Sequence, residues 1–232
     1  MEADALAWIG AAVFGTAALS GVLGMAGGVA LLAVLLLYLP PLAAIPLHGV
    51  IQLVSNGSRT VVQRRHARFD WLLWYALPLI PAGLIGLSVA KALPEAALEV
   101  GIGAVVLAAT WLPKRGGEAR APRPRLRLFS LGIGAGFLSM VIGAVGVLVD
   151  PFFLGLGLKR QSLIGTKAAC QTLGHMTKVG IFGAAGFAFA PHLPLLAVGS
   201  VCAVAGTWAG SRLLDRMSEE AFLWLYRTVL TL

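Results

Sequence analysis

Two sets of four polar residues recur at one spacing. His48, Gln52, Asn56 and Arg59 stand at steps of 4, 4 and 3, and Lys167, Gln171, His175 and Lys178 repeat those steps. Eleven residues of an α-helix turn about 1,100° and return to within about 20° of the start, so each quartet predicts a stripe on one helix face. Each stripe climbs about 16 Å, half the thickness of a hydrocarbon layer. Cationic side chains beside amides and imidazoles can hold a small anion with hydrogen-bond-accepting oxygens. Ionisable groups in an apolar helix cost several kcal/mol unless they face protein or water, which marks them as functional candidates. Plainer readings stand beside this one: Arg59 as a residue at a helix end, Lys167 as a side chain reaching for nearby water, and the two histidines as helix-packing donors. Lys178 resists such a reading, because it lies far beyond the basic pair Lys159 and Arg160 and apolar sequence follows it.

The chain that must position these stripes is 58% hydrophobic and only 12% charged, with 29 glycines and a mean hydropathy of +0.86. A soluble domain carries roughly 25% charged residues, so a soluble enzyme and a disordered tail are excluded. The composition indicates an integral membrane protein whose first partner is the lipid bilayer. Cys170 and Cys202 lie in apolar runs without a CxxC neighbour, which gives neither a disulfide framework nor a metal-ligand spacing. No cofactor and no metal site is expected. The N-terminal MEADALAWIGAAVFG lacks the basic flank and cleavage pattern of a signal peptide, and residue 1 reads as the start of a polytopic protein.

Helical spans need around 20 apolar residues. Segments 42–64, 71–91, 95–112 and 193–213 meet that length, 218–232 begins another, and 160–189 is somewhat long, with Gly180, Gly183 and Gly186 able to bend or end it. Segments 5–38 and 128–157 are too long for one crossing, and glycines interrupt each, GVLGMAGG at 21–28 and IGAVG at 142–146. Each is either a tilted, kinked span or two half-helices meeting at a glycine turn inside the membrane.

Charge discriminates between these readings. Fourteen of the eighteen basic residues fall in four clusters, at 59–68, 113–127, 159–160 and 212–216. If both long segments cross once, the clusters holding Lys159 and Arg212 land outside, against the positive-inside rule. If both return to their starting side, all four lie in the cytoplasm, and Lys91 is the one basic residue in the outer loops. The formal charge of +8 then orients the protein, and no nucleic-acid partner is expected. Trp71, Trp74, Tyr75 and Trp111 flank the basic loops as an interfacial belt should.

Sliding the sequence by 119 residues lays Gly24 on Gly143, Gly27 on Gly146, Gln52 on Gln171 and one polar stripe on the other; a slide of 124 later lays Gly86 on Gly210. The expected fold is therefore an all-α polytopic membrane protein of two inverted repeats. Each repeat has a glycine-broken re-entrant hairpin and three transmembrane helices, over residues 1–112 and 128–232, with a basic cytoplasmic linker at 113–127. Inverted repeats with broken helices are a transporter architecture, in which half-helix N-termini aim N–H groups and positive dipole ends at a midplane site. Here those termini fall near Gly27 and Gly28 and near Gly146, and glycine lets an anion approach backbone amides closely.

The expected substrate-binding set is Gly24, Gly27, Gly28, His48, Gln52, Asn56, Arg59, Gly143, Gly146, Lys167, Gln171, His175 and Lys178. Asp150, the one acidic residue deep in an apolar segment, reads either as a cap before Pro151 or as a coupling carboxylate. Arg227 has no assigned role. A lone deep carboxylate, with no HExxH or GxSxG, argues against an intramembrane enzyme. An anion channel sharing the same cage remains the alternative, as does a carrier for another small carboxylate or inorganic oxyanion.

The glycine-rich copies Gly21-Val-Leu-Gly24-Met-Ala-Gly27-Gly28 and Gly136-Phe-Leu-Ser-Met-Val-Ile-Gly143-Ala-Val-Gly146, the second followed by Asp150-Pro151 and by Ile164-Gly165-Thr166-Lys167, resemble the TauE/SafE family of sulfite and organosulfonate exporters. The resemblance covers residues 10 to 225, with Val145 and Val147 where the family pattern has glycine. It implies a multi-pass permease of the bacterial inner membrane moving sulfite, a sulfonate or a similar small oxyanion. A homodimer is left open.

Overall fold

The computed structural model describes residues 3–23, 27–111, 123–154 and 156–231, and among them every regular element is helical. In chain order these are α1 (Ala3–Leu23), α2 (Gly27–Leu36), α3 (Pro41–Val62), α4 (Leu72–Ala76), α5 (Leu79–Ala92), α6 (Glu95–Trp111), α7 (Pro124–Val141), α8 (Gly146–Leu154), α9 (Arg160–Ala184), α10 (Leu193–Arg216) and α11 (Glu219–Thr231), with 3-10 turns at Phe69–Trp71 and Ala190–His192.

The punctuation is local. Pro41 opens α3, where a missing N–H costs nothing, and Gly186 at φ +90° lies just past the end of α9. Gly180 and Gly183 leave α9 unbroken. The segment 71–91, expected as one helix, bends by 42° between α4 and α5, where Pro78 has no N–H to give the ladder. Both long apolar segments divide into a long and a short arm, α1 with α2 and α7 with α8. α7 begins at Pro124, within the stretch 113–127 expected as the linker; residues 112–122 lie outside the described residues.

Two described helices, within Asp4–Leu23 and Ala190–Arg216, are long and apolar enough to cross a membrane, and the bent pair α4–α5 makes a third. The stripe helices α3 and α9 are longer than 20 residues, but their polar faces lower their hydropathy. Those faces point inward. Lys167, Lys178 and Arg59 are at most 1% exposed, whereas Leu37, Trp8 and Trp224 are 79%, 72% and 69% exposed. Apolar surface outside and charge inside is the reverse of a water-soluble domain, as expected of a chain surrounded by lipid.

The helices of the two long segments pack crosswise. α1 lies along α10 and α7 along α5, while α3 and α9 pack together at the centre. A Cβ on Gly210 would collide with the Ala18 carbonyl, and one on Gly86 with the Phe137 carbonyl. The small residue lets backbones approach, as at membrane helix interfaces. Gly86 and Gly210 correspond under the 124-residue slide, Ala18 and Phe137 under the 119-residue slide.

α3 and α9 run antiparallel: Gly49 faces Lys178, and Gln63 faces Gly165. The Arg68 N–H donates to Thr166 Oγ1 at 3.0 Å, and the Arg125 guanidinium lies 5.8 Å from the Trp74 ring. α10 runs parallel to α3, with Gly199 against Ile51 and Thr207 against Ser55. Described members of all four basic clusters thus gather at one end of the bundle.

Candidate functional site

The two stripes meet across the α3–α9 contact. His48 and His175 pack edge to face with ring centroids 5.7 Å apart. Around them is a cavity of about 40 Å³, lined by Gly28, His48, Gln52, Asn56, Arg59, Gly146, Gln171 and His175, and by Ser20, Tyr75, Ser139, Gly174 and the apolar Val29, Ala135, Ala144, Val145 and Val149. A water molecule needs roughly 10–15 Å³ of such space, so the cavity holds about three or four bodies of that size.

The first stripe is a connected relay. Arg59 donates through Nη1 to Asn56 Oδ1 at 3.1 Å, and Asn56 Nδ2 donates to Gln52 Oε1 at 3.1 Å. With its oxygen occupied, Gln52 is left with its amide N–H groups for the cavity; its Nε2 lies 3.6 Å from where a Cβ on Gly28 would sit. His48 Nε2 donates to the Gly28 carbonyl at 2.9 Å. His48 Nδ1 and His175 Nδ1 are buried and have no hydrogen-bond partner. An unpaired buried polar atom costs about 1–3 kcal/mol, and both of these rings line a cavity where a ligand could meet them.

The second stripe is used differently. Gln171 Nε2 stands 3.3 Å from where a Cβ on Gly146 would sit, at the start of α8. Lys178 does not line the cavity. Its ammonium donates to the Gly143 carbonyl, and its stem crosses α3 beside Gly49. Gly143 has φ +82°, in the left-handed region that a side chain disfavours, and it follows the last turn of α7, where unpaired carbonyls and the negative dipole end favour a cation.

Three further expected residues stand away from the cavity. Lys167 is fully buried, but the antiparallel crossing carries it toward the basic end of the bundle, away from the histidine pair. Gly27 packs back on α1, where a Cβ would collide with the Thr16 carbonyl and Ser20 Oγ. Gly143 faces Leu32 and Ile45. Gly24 and the side chains of Asp150 and Arg227 lie outside the described residues. Asp150 falls within α8, which begins at Gly146, so its reading as a helix cap does not hold.

Sequence reasoning missed several wall residues. Ser20 and Ser139, each 5% exposed, correspond under the 119-residue slide, so the repeat that paired the glutamines would have found them. Tyr75 had been assigned to the interfacial belt, yet it is 2% exposed. The close approach of α7 fixes it there, since a Cβ on Gly132 would collide with the Tyr75 carbonyl.

The arrangement offers donors, a guanidinium and two helix starts, with no cluster of three metal-ligating side chains among the described residues. That suits a small anion. Residues 9–232 match the family described as "Sulfite exporter TauE/SafE". No curated protein and no solved structure matches the chain.

Proposed function

The chain belongs to the sulfite exporter TauE/SafE family, a family of membrane transporters, and from that premise we propose that it is a secondary carrier for one small oxyanion, sulfite or an organosulfonate. The carrier lies in the bacterial inner membrane and binds its substrate between the two glycine breaks. One observation carries this reading: one cavity receives the starts of both short helices, the amides of Gln52 and Gln171, and the buried Arg59 guanidinium.

The substrate oxygens accept hydrogen bonds from Gln52 Nε2 and Gln171 Nε2. The N–H groups of the first turns of α2 and α8 supply further donors and the positive ends of two helix dipoles. Arg59 balances the negative charge and, through Asn56, holds the Gln52 amide in its donating orientation. A hydrogen bond to a charged group contributes about 1.5–3 kcal/mol, so each such donor is worth roughly 10–100-fold in affinity. Lys178 keeps the Gly143 turn in place and so aims α8.

Two inverted repeats support the alternating motion a carrier needs. The gathering of the four basic clusters at one end supports the hairpin reading of the two broken segments, because single crossings would separate them. The crosswise packing of α1 on α10 and α7 on α5, with equivalent glycines against equivalent carbonyls, supports the repeat.

Counterflow in proteoliposomes tests this. Unlabelled sulfite trapped inside should accelerate entry of labelled sulfite, and Gln52→Ala and Gln171→Ala should each slow it. No acceleration, together with an ohmic current, would identify a channel; unchanged transport in both variants would remove the site assignment.

A further inference from the structure

We propose that Tyr75 is the wall that sets the size limit of the cavity, so that the site takes inorganic oxyanions and excludes sulfonates carrying an organic tail. The proposal rests on the carrier reading and narrows its substrate class. A space of about 40 Å³ suits a body of about four heavy atoms, such as sulfite, on the scale of roughly 10–15 Å³ per water. On the same scale the six heavy atoms of ethanesulfonate need more than this space.

Part of the wall is small: Gly28, Ala135, Ala144, Gly146 and Gly174 contribute backbone or a methyl group. Tyr75 is the largest side chain among the lining residues, and it comes from α4, outside both stripes. Its hydroxyl reaches α9, 3.3 Å from where a Cβ on Gly174 would sit, and apart from the adjacent chain of α9 nothing else comes within 4 Å of that point. The ring therefore spans the gap between α4 and α9. It is held there from behind, because Gly132 brings α7 against the Tyr75 carbonyl and Pro78 Cγ, and the bend at Pro78 fixes the direction of α4. Tyr75 has no counterpart in the other half, since the 119-residue slide lays it on Pro194. One side of the site is thus closed by a residue that the repeat does not duplicate.

The test is competition by ethanesulfonate against counterflow of labelled sulfite, using the full chain in proteoliposomes. A substrate differing by one or two methylene groups is discriminated by about 10–200-fold in a fitted pocket. Wild-type protein should therefore be inhibited by ethanesulfonate at least about tenfold more weakly than by unlabelled sulfite. Tyr75→Ala and Tyr75→Leu should close that gap, Tyr75→Ala further. Tyr75→Phe, which keeps the ring, should preserve the ratio, and Gly174→Leu added to Tyr75→Ala should restore it by refilling the space.

Sulfite counterflow in the wild type with undiminished exclusion of ethanesulfonate in both smaller variants would overturn the wall and leave the carrier reading standing. Equal competition by the two anions in the wild type would overturn it as well. Absence of sulfite counterflow in the wild type would overturn the carrier reading and the wall with it.

Discussion

The two polar stripes have matching spacing and unlike use. In the first, Arg59, Asn56 and Gln52 form one hydrogen-bonded relay ending at the cavity. In the second, the residue at the Arg59 position, Lys178, turns to the Gly143 carbonyl, and His175 stands where Asn56 would continue a relay. The glycine breaks differ in the same sense. The Gly28 site is roomy and its carbonyl accepts from the His48 imidazole, whereas Gly143 is tight, has φ +82° and its carbonyl accepts from Lys178 Nζ. In our reading one stripe presents charge to the ligand and the other spends its charge on the scaffold. The two stripes share one spacing, and packing gives them different surroundings.

Substitutions at the breaks should show the largest contrast. Gly143→Ala adds a left-handed backbone cost of about 1–2 kcal/mol. It also adds overpacking of about 1–3 kcal/mol, because its Cβ would sit 2.8 Å from Leu32 Cδ2 and 2.9 Å from Ile45 Cγ1. Thermal denaturation in detergent should register a loss of about 2–5 kcal/mol. Gly28→Ala meets nothing closer than 3.6 Å and should stay within about 0.5 kcal/mol of the parent while narrowing the cavity and slowing transport. Equal destabilisation by both would dissolve the contrast between the breaks.

The cations come next. Arg59→Gln should weaken sulfite binding by calorimetry about 10–100-fold, the loss of one charge-assisted hydrogen bond. Lys178→Met leaves the Gly143 carbonyl without its donor and should cost about 1–3 kcal/mol of stability, with a smaller change in affinity than Arg59→Gln. The reverse ranking of affinities would mean that Lys178 is the ligand and Arg59 the support. Asn56→Leu cuts the relay and should weaken binding by roughly fivefold, about 1 kcal/mol.

Gly49→Ala is the mildest change along the stripes. Its Cβ would stand 3.0 Å from Lys178 Cδ, a methylene that can shift, so a stability loss below about 1 kcal/mol is expected. The loss should shrink in a Lys178→Ala background, which removes that methylene. Outside both stripes, the exposed Arg68–Asp70 pair at 2.8 Å holds the Asp70 carboxyl below its usual range through the Arg68 hydrogen bond. Its contribution is present above the ordinary carboxylate range and is lost as pH falls from there through the lowered pKa of the folded state. Exposed pairs contribute little, so Asp70→Asn should be the smallest effect of all at neutral pH.

Much of this was legible in the residues. The spacing of His48, Gln52, Asn56 and Arg59 predicts a helix, and α3 covers all four; the second quartet lies on α9. The glycine runs mark where α1 and α7 stop. Eight of the expected residues line the cavity, because period and apolar context identify an inward face. What spacing could not give is the crossing of one helix on another. The antiparallel contact of α3 and α9 brings His48 to His175 and carries Lys167 away, although the 119-residue slide lays His48 on Lys167. The Lys178 bond to Gly143 depends on where a backbone carbonyl comes to rest. Tyr75 reaches the cavity only because α7 presses α4 inward, and its neighbours in sequence read as interfacial aromatics. The bend at Pro78 was readable from the proline itself.

The most direct measurement is the position of a bound oxyanion. Crystals of the full chain soaked in selenite, a heavier analogue of sulfite, would show the selenium by anomalous scattering. One peak is expected between Gly28 and Gly146, with oxygens in hydrogen-bond reach of Gln52 Nε2 and Gln171 Nε2. A peak elsewhere in the bundle, with this cavity holding only water, would contradict it.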